Sequence, residues 1–330
     1  MAAFMIYGAY GYTGRIASEY AATLGLQVIL AGRSDRKIRD LASKLDTKFL
    51  VFDVNDPFIL DAALKGVRVF LNCAGPFMRT ASPLMAACIR NGVHYLDIAA
   101  ELDSYRLAEK LDAEASEKNV MLMPGCGGSV AMLGCLAGYA AEGIEKPVSI
   151  DVALLVAGSM SRGSAVSASE NLTAECLKRV DGELIAQDTT ATDSFDFNDG
   201  KGSVSCFPVT LPDLITIWKS TGASNIRTFV HVAGNAFPSG DLDALPDGPT
   251  AQEREANPYH ASVTVAGADG TVKRAALHTV NGYTFTPLAS VQAAERILGG
   301  EVVRGFQTPA TVFGSRFVKS VRDTVLETLE

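Results

Sequence analysis

The residues best suited to chemistry form a glycine-rich segment near the start of the chain. It lies between an apolar run that predicts a strand over 4–8 and a pattern that predicts a helix over 13–24. Glycines at such a point let the backbone turn sharply towards a phosphate, and the amides at a helix start attract an anion. Relative to G-x-G-x-x-G, Ala9 stands at the first glycine position and Gly8 precedes it. We predict that a dinucleotide pyrophosphate binds along Gly8, Ala9, Tyr10, Gly11, Tyr12, Thr13 and Gly14.

The end of the second predicted strand, over 27–31, indicates which dinucleotide is bound. An NAD enzyme places Asp or Glu there, ~20 residues after the glycines, to bind the ribose 2′-hydroxyl. Here Arg33 and Ser34 occupy that position and Lys37 follows, which favours the 2′-phosphate of NADP(H) over NAD(H). Two alternatives stay open: Ser34 serves as a helix cap beside solvated basic residues, or Asp35 reaches the ribose.

Two further strand ends complete the predicted cofactor site. Asp53 ends the third strand, where it either borders the adenine or caps the next helix. After the fourth strand, the small residues Ala74, Gly75 and Pro76 permit close approach to the ribose and nicotinamide, although a plain turn is the alternative. Cys73 has no basic neighbour in sequence, so we do not expect a catalytic thiolate there.

These positions require a scaffold that brings successive strand ends to one edge. Strands and helices alternate up to residue 123, which predicts a doubly wound parallel sheet of the Rossmann type covered by helices. The segment PGCGGS at 124–129 then interrupts the alternation. We therefore expect a dinucleotide-binding domain over 1–125 and a second, substrate or dimerisation domain over 126–287.

The second domain is predicted to be α/β with a mixed, mainly antiparallel sheet. Its strands are expected over 149–157 and 225–232, with a hairpin formed by 261–266 and 272–280 around a turn rich in glycine. A helix is expected over 166–179. Residues 181–202 and 237–258 are rich in Asp, Gly, Pro and Thr and are expected to form loops, one of which covers the site.

Composition limits the class of partner. The net charge of −8 and pI near 5.1 disfavour a nucleic-acid ligand, which needs a broad basic surface. We expect no membrane span, because apolar runs fall far short of ~20 residues, and a cytoplasmic location, because no secretory signal is visible. The six cysteines contain no C-x-x-C pair, so reduced, mostly buried thiols and no metal site are expected.

Several motifs, taken in order, resemble those of the saccharopine dehydrogenase-like oxidoreductases. They are GAYGYTG, AGRS, LNCAGPF, HYLDIAAE, MPGCGGS and, later, KSTGASNI, NGYTFTPLASVQAAERIL and GFQTPATVFG. The resemblance implies that 288–330 returns to pack on the first domain, and that cofactor contacts fall on Ala9–Gly14, Arg33, Ser34, Asp53 and Ala74–Pro76. After PGCG, many relatives continue with Phe-Asp where this chain has Gly128-Ser129, which weakens any inference about the substrate.

The group that transfers the proton is harder to find. The chain lacks both the Tyr-x-x-x-Lys pair expected of a short-chain dehydrogenase and a Gly-x-Ser-x-Gly nucleophile elbow. Arg162 is a candidate for holding a substrate carboxylate and Tyr283 for donating a proton, although a surface arginine and a core aromatic are the alternatives. Asp97 and Glu101 either face the cleft or cap the helix that follows.

The sequence thus predicts an NADP(H)-dependent oxidoreductase that moves a hydride to or from a small C=N or C=O substrate. The alternatives are an enoyl reductase acting on a hydrophobic acyl group and a non-catalytic NADP(H)-binding sensor or interaction protein. Self-association as a homodimer is open, because the second domain's strands leave a sheet edge or face to bury.

Overall fold

A computed structural model describes residues 4–171, 175–233 and 245–329. The contacts divide the chain into two compact units. The first contains residues up to Gly127 together with Thr286–Gln307, and the second contains Gly128–Phe285 and Thr308–Glu330.

From residue 4 to residue 123 the elements are β1 (Phe4–Tyr7), α1 (Tyr12–Thr23), β2 (Val28–Gly32), α2 (Asp35–Lys44), β3 (Lys48–Val51), α3 (Pro57–Ala63), β4 (Val69–Asn72), α4 (Phe77–Asn91), β5 (His94–Asp97), α5 (Leu102–Lys110), α6 (Asp112–Glu117) and β6 (Met121–Met123). The later elements are α7 (Gly128–Ala141), β7 (Pro147–Ala157), α8 (Arg162–Asn171), β8 (Leu177–Val180), β9 (Glu183–Ala186), β10 (Asp193–Asp196), β11 (Ser203–Pro208), α9 (Asp213–Thr221), β12 (Asn225–Ala233), α10 (Ala251–Ala256), β13 (Tyr259–Gly267), β14 (Val272–Thr279), α11 (Gly282–Leu298), β15 (Gly305–Phe306), α12 (Pro309–Phe313) and β16 (Val325–Leu329).

The first unit is a parallel sheet whose described strands run in the order β15-β6-β5-β4-β1-β2-β3. The order 3-2-1-4-5-6 within it is that of a Rossmann fold, in which the ligand crevice opens beyond the carboxyl ends of the strands where the order reverses. Here the reversal falls between β1 and β4. The predicted fold class is therefore confirmed for this unit.

Aromatic side chains stack across the centre of this sheet. The rings of Tyr7 and Phe70 lie 6.2 Å apart between centroids, and those of Phe70 and Tyr95 lie 6.4 Å apart. All three residues are buried. Apolar strand runs covered on both faces are typical of parallel sheets, which is why these strands could be predicted from sequence.

The second unit holds a mixed sheet of described strands in the order β10-β11-β12-β7-β13-β14-β16. Only the β12 and β7 pair in this order is parallel; the other pairs are antiparallel. The β13 and β14 hairpin forms as predicted. The mainly antiparallel sheet expected from the sequence is thus confirmed.

Two predictions for residues 166–202 are wrong. The helix α8 ends at Asn171, and Leu177–Val180 forms a strand instead of continuing the helix. This strand pairs with β9 through a turn in which Asp181 and Gly182 both have positive φ, 48° and 86°. Asp-Gly is a strong signal for such a two-residue hairpin, so the expected loop contains strands.

The loop expected over 237–258 is partly outside the described residues, since 237–244 are not among them. Within the rest, Ala251–Ala256 forms a short helix begun by a capping box between Thr250 and Glu253. A local cap of this kind lets six residues form a helix inside a polar segment.

The expected return of 288–330 to the first domain is wrong for its last part. Residues 286–307 belong to the first unit, where β15 pairs with β6. Residues 308–330 belong to the second unit, where β16 pairs with β14 at the edge of the sheet.

The six cysteines are free thiols, and Cys88, Cys126, Cys135 and Cys206 are buried. Among the described residues, no helix is both long and apolar enough to cross a membrane. The same residues contain no group of three His, Cys, Asp or Glu side chains placed to hold a metal ion.

Candidate cofactor site

The glycine-rich segment forms a tight loop between β1 and α1. Gly8 has a φ of 75°, and its amide donates to the Ala31 carbonyl at 2.9 Å. A Cβ at Gly8 would lie 2.8 Å from the Ala74 nitrogen, and one at Gly14 would lie 2.2 Å from the Gly8 carbonyl oxygen. No side chain fits at either position, so glycine there brings the loop against both α1 and the end of β4.

We expect Gly14→Ala to lower the free energy of unfolding by about 3 kcal/mol, because the clash is with backbone rather than with a flexible side chain. Gly134→Ala is the matched control: it too is a buried helical glycine, but an added Cβ meets no atom within 4 Å. That variant should instead gain roughly 0.5–1 kcal/mol of stability. Urea denaturation of both variants checks the pair, and similar losses in both would contradict the packing described for Gly14.

The N-terminus of α1 is open to an anion. Gly11 occupies the N-cap without a side-chain hydrogen bond, and the first turn contains no acidic residue. The first amides of a helix have no intrahelical acceptor, and the helix dipole is positive at this end. A pyrophosphate is the group that such a terminus stabilises in a Rossmann fold.

The residues at the end of β2 meet the glycine loop through Tyr10. A Cβ at Gly32 would lie 2.5 Å from Cε1 of Tyr10, so the ring lies directly on this glycine. The Lys37 ammonium lies 5.7 Å from the centre of the same ring. Arg33 is exposed beside them. Of the basic residues predicted to bind a 2′-phosphate, Lys37 thus lies by the Tyr10 ring, and Arg33 directly follows the glycine against which that ring packs.

The structure weighs against both alternatives for this corner. Ser34 stands at the N-cap of α2, but its side chain makes no capping hydrogen bond. The Asp35 carboxylate accepts from Nη2 of Arg39 at 2.9 Å, one turn along the helix surface. The Ser34 hydroxyl therefore has no capping role, and the carboxylate of the next residue, Asp35, is engaged by an arginine.

The hydrogen bonds of Asp53 and Asp56 decide whether Asp53 caps α3. The residue that caps α3 is Asp56, which accepts from the amides of Phe58 and Ile59 at 2.9 and 3.2 Å. Asp53 is exposed and accepts from the Asn55 amide at 3.0 Å. Capping of α3 is therefore not the function of Asp53, and its predicted place beside an adenine stays a prediction.

Hydrogen bonds fix the loop at the end of β4. The Ala74 amide donates to Oδ1 of Asn72 at 2.9 Å, and Oγ1 of Thr80 donates to the Ala74 carbonyl at 2.8 Å. Nδ2 of Asn72 in turn donates to the Thr80 hydroxyl at 3.0 Å. Gly75 and Pro76 follow, joined by a cis peptide bond. Ala74, the first residue of this loop, lies beside Gly8, and the shared cofactor contact of Ala74, Gly75 and Pro76 stays a prediction.

The sequence left Asp97 either facing the cleft or capping the next helix, but its side chain caps no helix and is buried within the first unit. It is fully buried, and its Oδ1 accepts from the amides of Ala99 and Gly125 at 2.9 and 2.8 Å. Burial raises the pKa of this carboxyl to about 6. Glu101 stands at the N-cap of α5 without a side-chain capping bond. The one feature of the sequence that points to Asp97 as a buried acceptor of backbone amides is its position at the end of an apolar strand run.

The two candidate catalytic residues lie together in the second unit. The Tyr283 hydroxyl accepts from the Ser161 amide at 2.9 Å, and Arg162 follows directly. Nε of Arg162 donates to the Leu245 carbonyl and its Nη2 to Asp247, each at 2.9 Å. One edge of the Arg162 guanidinium, Nε and Nη2, is thus bound within its own unit.

The order of the first sheet, the glycine loop and the basic corner define a protein with a nicotinamide-dinucleotide-binding Rossmann unit and a second α/β unit. Residues 4–123 match the family described as saccharopine dehydrogenase NADP binding domain, so this part of the chain is a domain of that kind. The family resemblance predicted from the motifs is confirmed.

Two curated relatives and two solved structures place this match in context. A trans-acting enoyl reductase of Mycobacterium tuberculosis is 30% identical over 131 residues, which are 37% of this chain and 31% of the relative. A saccharopine dehydrogenase-like oxidoreductase of Mus musculus is 30% identical over 145 residues, 37% of this chain and 33% of the relative. The matched region is thus about a third of each relative's length.

The structural likeness extends over the whole chain. Apo saccharopine dehydrogenase (L-Glu forming) from Saccharomyces cerevisiae has a TM-score of 0.69 at 12% identity, covering 100% of both chains. The homospermidine synthase of Legionella pneumophila, solved with NAD, has a TM-score of 0.67 at 12% identity, covering 99% of this chain and 91% of that one. Both share the two-unit fold.

Proposed function

We propose that the protein is an NADP(H)-dependent oxidoreductase that transfers a hydride to or from a small substrate with a C=N or C=O bond. The proposed preference for NADP(H) rests on the residues that follow β2. Arg33 and Lys37 are exposed there, the Ser34 hydroxyl makes no cap, and Asp35 is paired with Arg39. A 2′-phosphate would bind there through charge-assisted hydrogen bonds, and the carboxylate next to Ser34, that of Asp35, is already paired with an arginine.

Arg33→Ala tests this preference. We expect NADPH affinity to fall about thirtyfold, since a hydrogen bond to a charged group contributes roughly 2 kcal/mol, whereas NADH affinity should stay unchanged. Arg36→Ala removes an exposed arginine from the first turn of α2, three residues after Arg33, and should leave both affinities unchanged. Titration calorimetry with both nucleotides measures the two ratios. Equal or tighter binding of NADH by the wild type would overturn the preference.

The support for an oxidoreductase, rather than a nucleotide-binding protein without activity, comes from the kind of protein that shares this fold. The two solved structures of similar fold are named as a dehydrogenase and a synthase, and the mouse relative as an oxidoreductase. In such proteins the nicotinamide supplies the hydride, and the chain orients the substrate and provides a proton. We propose Tyr283 as the proton donor and Nη1 of Arg162 as a single contact to the substrate.

An enoyl reductase acting on a hydrophobic acyl group is the second candidate, favoured by the names of the mycobacterial relatives. The third is an NADP(H)-binding sensor. Following NADPH oxidation with panels of imines, ketones and enoyl thioesters separates them: turnover of the first two panels supports our proposal, and turnover of thioesters alone supports the second. Tight binding without any turnover supports the sensor. A cytoplasmic location, a homodimer and the lack of a nucleic-acid partner stay predictions.

A further inference from the structure

A buried chain of hydrogen bonds joins the ends of β4, β5 and β6 in the first unit. Asn72, Tyr95 and Asp97 are all fully buried. Nδ2 of Asn72 donates to the Tyr95 hydroxyl at 3.2 Å, and the Tyr95 hydroxyl donates to Oδ2 of Asp97 at 2.9 Å. One end of the chain is the Gly125 amide, bound to Asp97, and the other is the Ala74 amide, bound to Asn72.

The chemistry of the three groups gives this chain a direction. An ionised carboxylate only accepts, so the Tyr95 hydrogen must point to Asp97 and the phenol oxygen is left to accept from Asn72. With its NH₂ group directed at Tyr95, Asn72 must present its carbonyl oxygen to the Ala74 amide. Two contacts on Nδ2 therefore set which end of the Asn72 amide faces the loop: the Tyr95 hydroxyl, oriented by Asp97, and the Thr80 hydroxyl, which donates its own hydrogen to the Ala74 carbonyl.

We propose that Asp97, through Tyr95 and Asn72, is a positioning residue that holds the Ala74–Pro76 loop in the orientation that receives the nicotinamide half of the cofactor. The inference rests on the proposed function, because it assigns this loop to the cofactor. It goes beyond that function in assigning a shared role to three buried side chains, none of which would touch the nucleotide.

Asp97→Asn tests the role of the carboxylate because the two side chains have nearly the same volume and differ in their hydrogen-bonding groups. If the new amide keeps its oxygen on Ala99 and Gly125, its NH₂ group points at Tyr95, which then receives two donors and has no acceptor for its own hydrogen. If it turns round, two buried amides face an NH₂ group. Either arrangement removes one of the two contacts on Nδ2 that keep the oxygen of Asn72 on Ala74, and Thr80 alone is left to hold the Asn72 amide. Tyr95→Phe breaks the same chain in the middle and keeps the ring stack with Phe70.

The first readout needs no cofactor. We expect Ala74 amide hydrogen exchange, followed by NMR with isotope-labelled alanine, to be at least about tenfold faster in Asp97→Asn and Tyr95→Phe than in the wild type. The double variant should exchange the Ala74 amide little faster than either single variant, because both substitutions interrupt the same chain of hydrogen bonds. Ser104→Ala is the control, since Ser104 is buried close by in sequence and its hydroxyl has no partner among the described residues. It should leave the Ala74 amide unchanged.

The second readout compares NADPH with adenosine 2′,5′-bisphosphate, which carries only the adenine half. Both variants should weaken NADPH binding about tenfold and leave the bisphosphate within about twofold, because the loop serves the nicotinamide half. Equal loss for both nucleotides, or unchanged Ala74 exchange in both variants, would overturn the inference. If Asp97→Asn does not fold, Tyr95→Phe decides alone. A wild type that binds neither nucleotide would reject the proposed function, and Ala74 exchange would still decide whether the chain positions the loop.

Discussion

At pH 8 the Asp213→Asn variant is expected to be more stable than the wild type, by up to about 4 kcal/mol. Asp213 begins α9 in the second unit and is fully buried. Neither carboxyl oxygen has a hydrogen-bond partner among the described residues, and burial raises the pKa to about 7. The fold therefore favours the neutral acid, and ionisation above pH 7 costs stability that a neutral amide does not lose.

The direction of this pH dependence follows from the pKa of Asp213 in the unfolded and folded wild type. In the unfolded chain Asp213 ionises near pH 4, whereas in the folded chain it does so near pH 7. The wild type therefore loses stability relative to Asp213→Asn as the pH rises from about 4 to about 7, and the difference is constant above that. Urea denaturation of both proteins at intervals from pH 4 to pH 8 measures it. Parallel curves over this range would show that Asp213 is not the buried acid that the structure describes.

The cofactor corner could be predicted from sequence because each part of it is local. A strand, a glycine turn and a helix start follow one another within residues 4–14, and Arg33 and Ser34 follow the next strand. Once the parallel order is accepted, the ends of all the strands meet at one edge, so their spacing along the chain is enough to assemble the site. The agreement therefore reflects the repeating strand and helix pattern.

What could not be predicted depends on pairing between distant residues. Asn72, Tyr95 and Asp97 lie on neighbouring strands, and only the register of the sheet brings their polar atoms into one chain. The engagement of Arg162 by residues 245–247 is likewise invisible in a local pattern. The hairpin at Asp181-Gly182 could have been predicted, because Asp-Gly is a strong local signal for a two-residue turn. The polar composition of the surrounding segment favoured a loop instead.

The replacement of Tyr283 by Phe is expected to lower kcat about a hundredfold and to leave the NADPH dissociation constant unchanged. The Tyr283 hydroxyl accepts a hydrogen bond from the Ser161 amide. Accepting this bond polarises the O–H group and favours its donation to a developing anion on the substrate, as proton transfer alongside the hydride requires. Because the Tyr283 hydroxyl is proposed to bond to the substrate and not to the nucleotide, cofactor affinity should not depend on it.

Tyr259→Phe is the matched control for this experiment. Tyr259 is close enough to Tyr283 that the latter contributes to raising its pKa, but burial is the larger cause and the side chain is only 8% exposed. A phenol enclosed in this way is a packing residue, so removal of its hydroxyl should change kcat by less than about threefold. Steady-state rates with the substrate found in the panels, measured for both variants and the wild type, test the assignment. If the two variants turn over at the same rate, Tyr283 is not the proton donor and the donor must be sought on another residue, with the cofactor proposal unaffected.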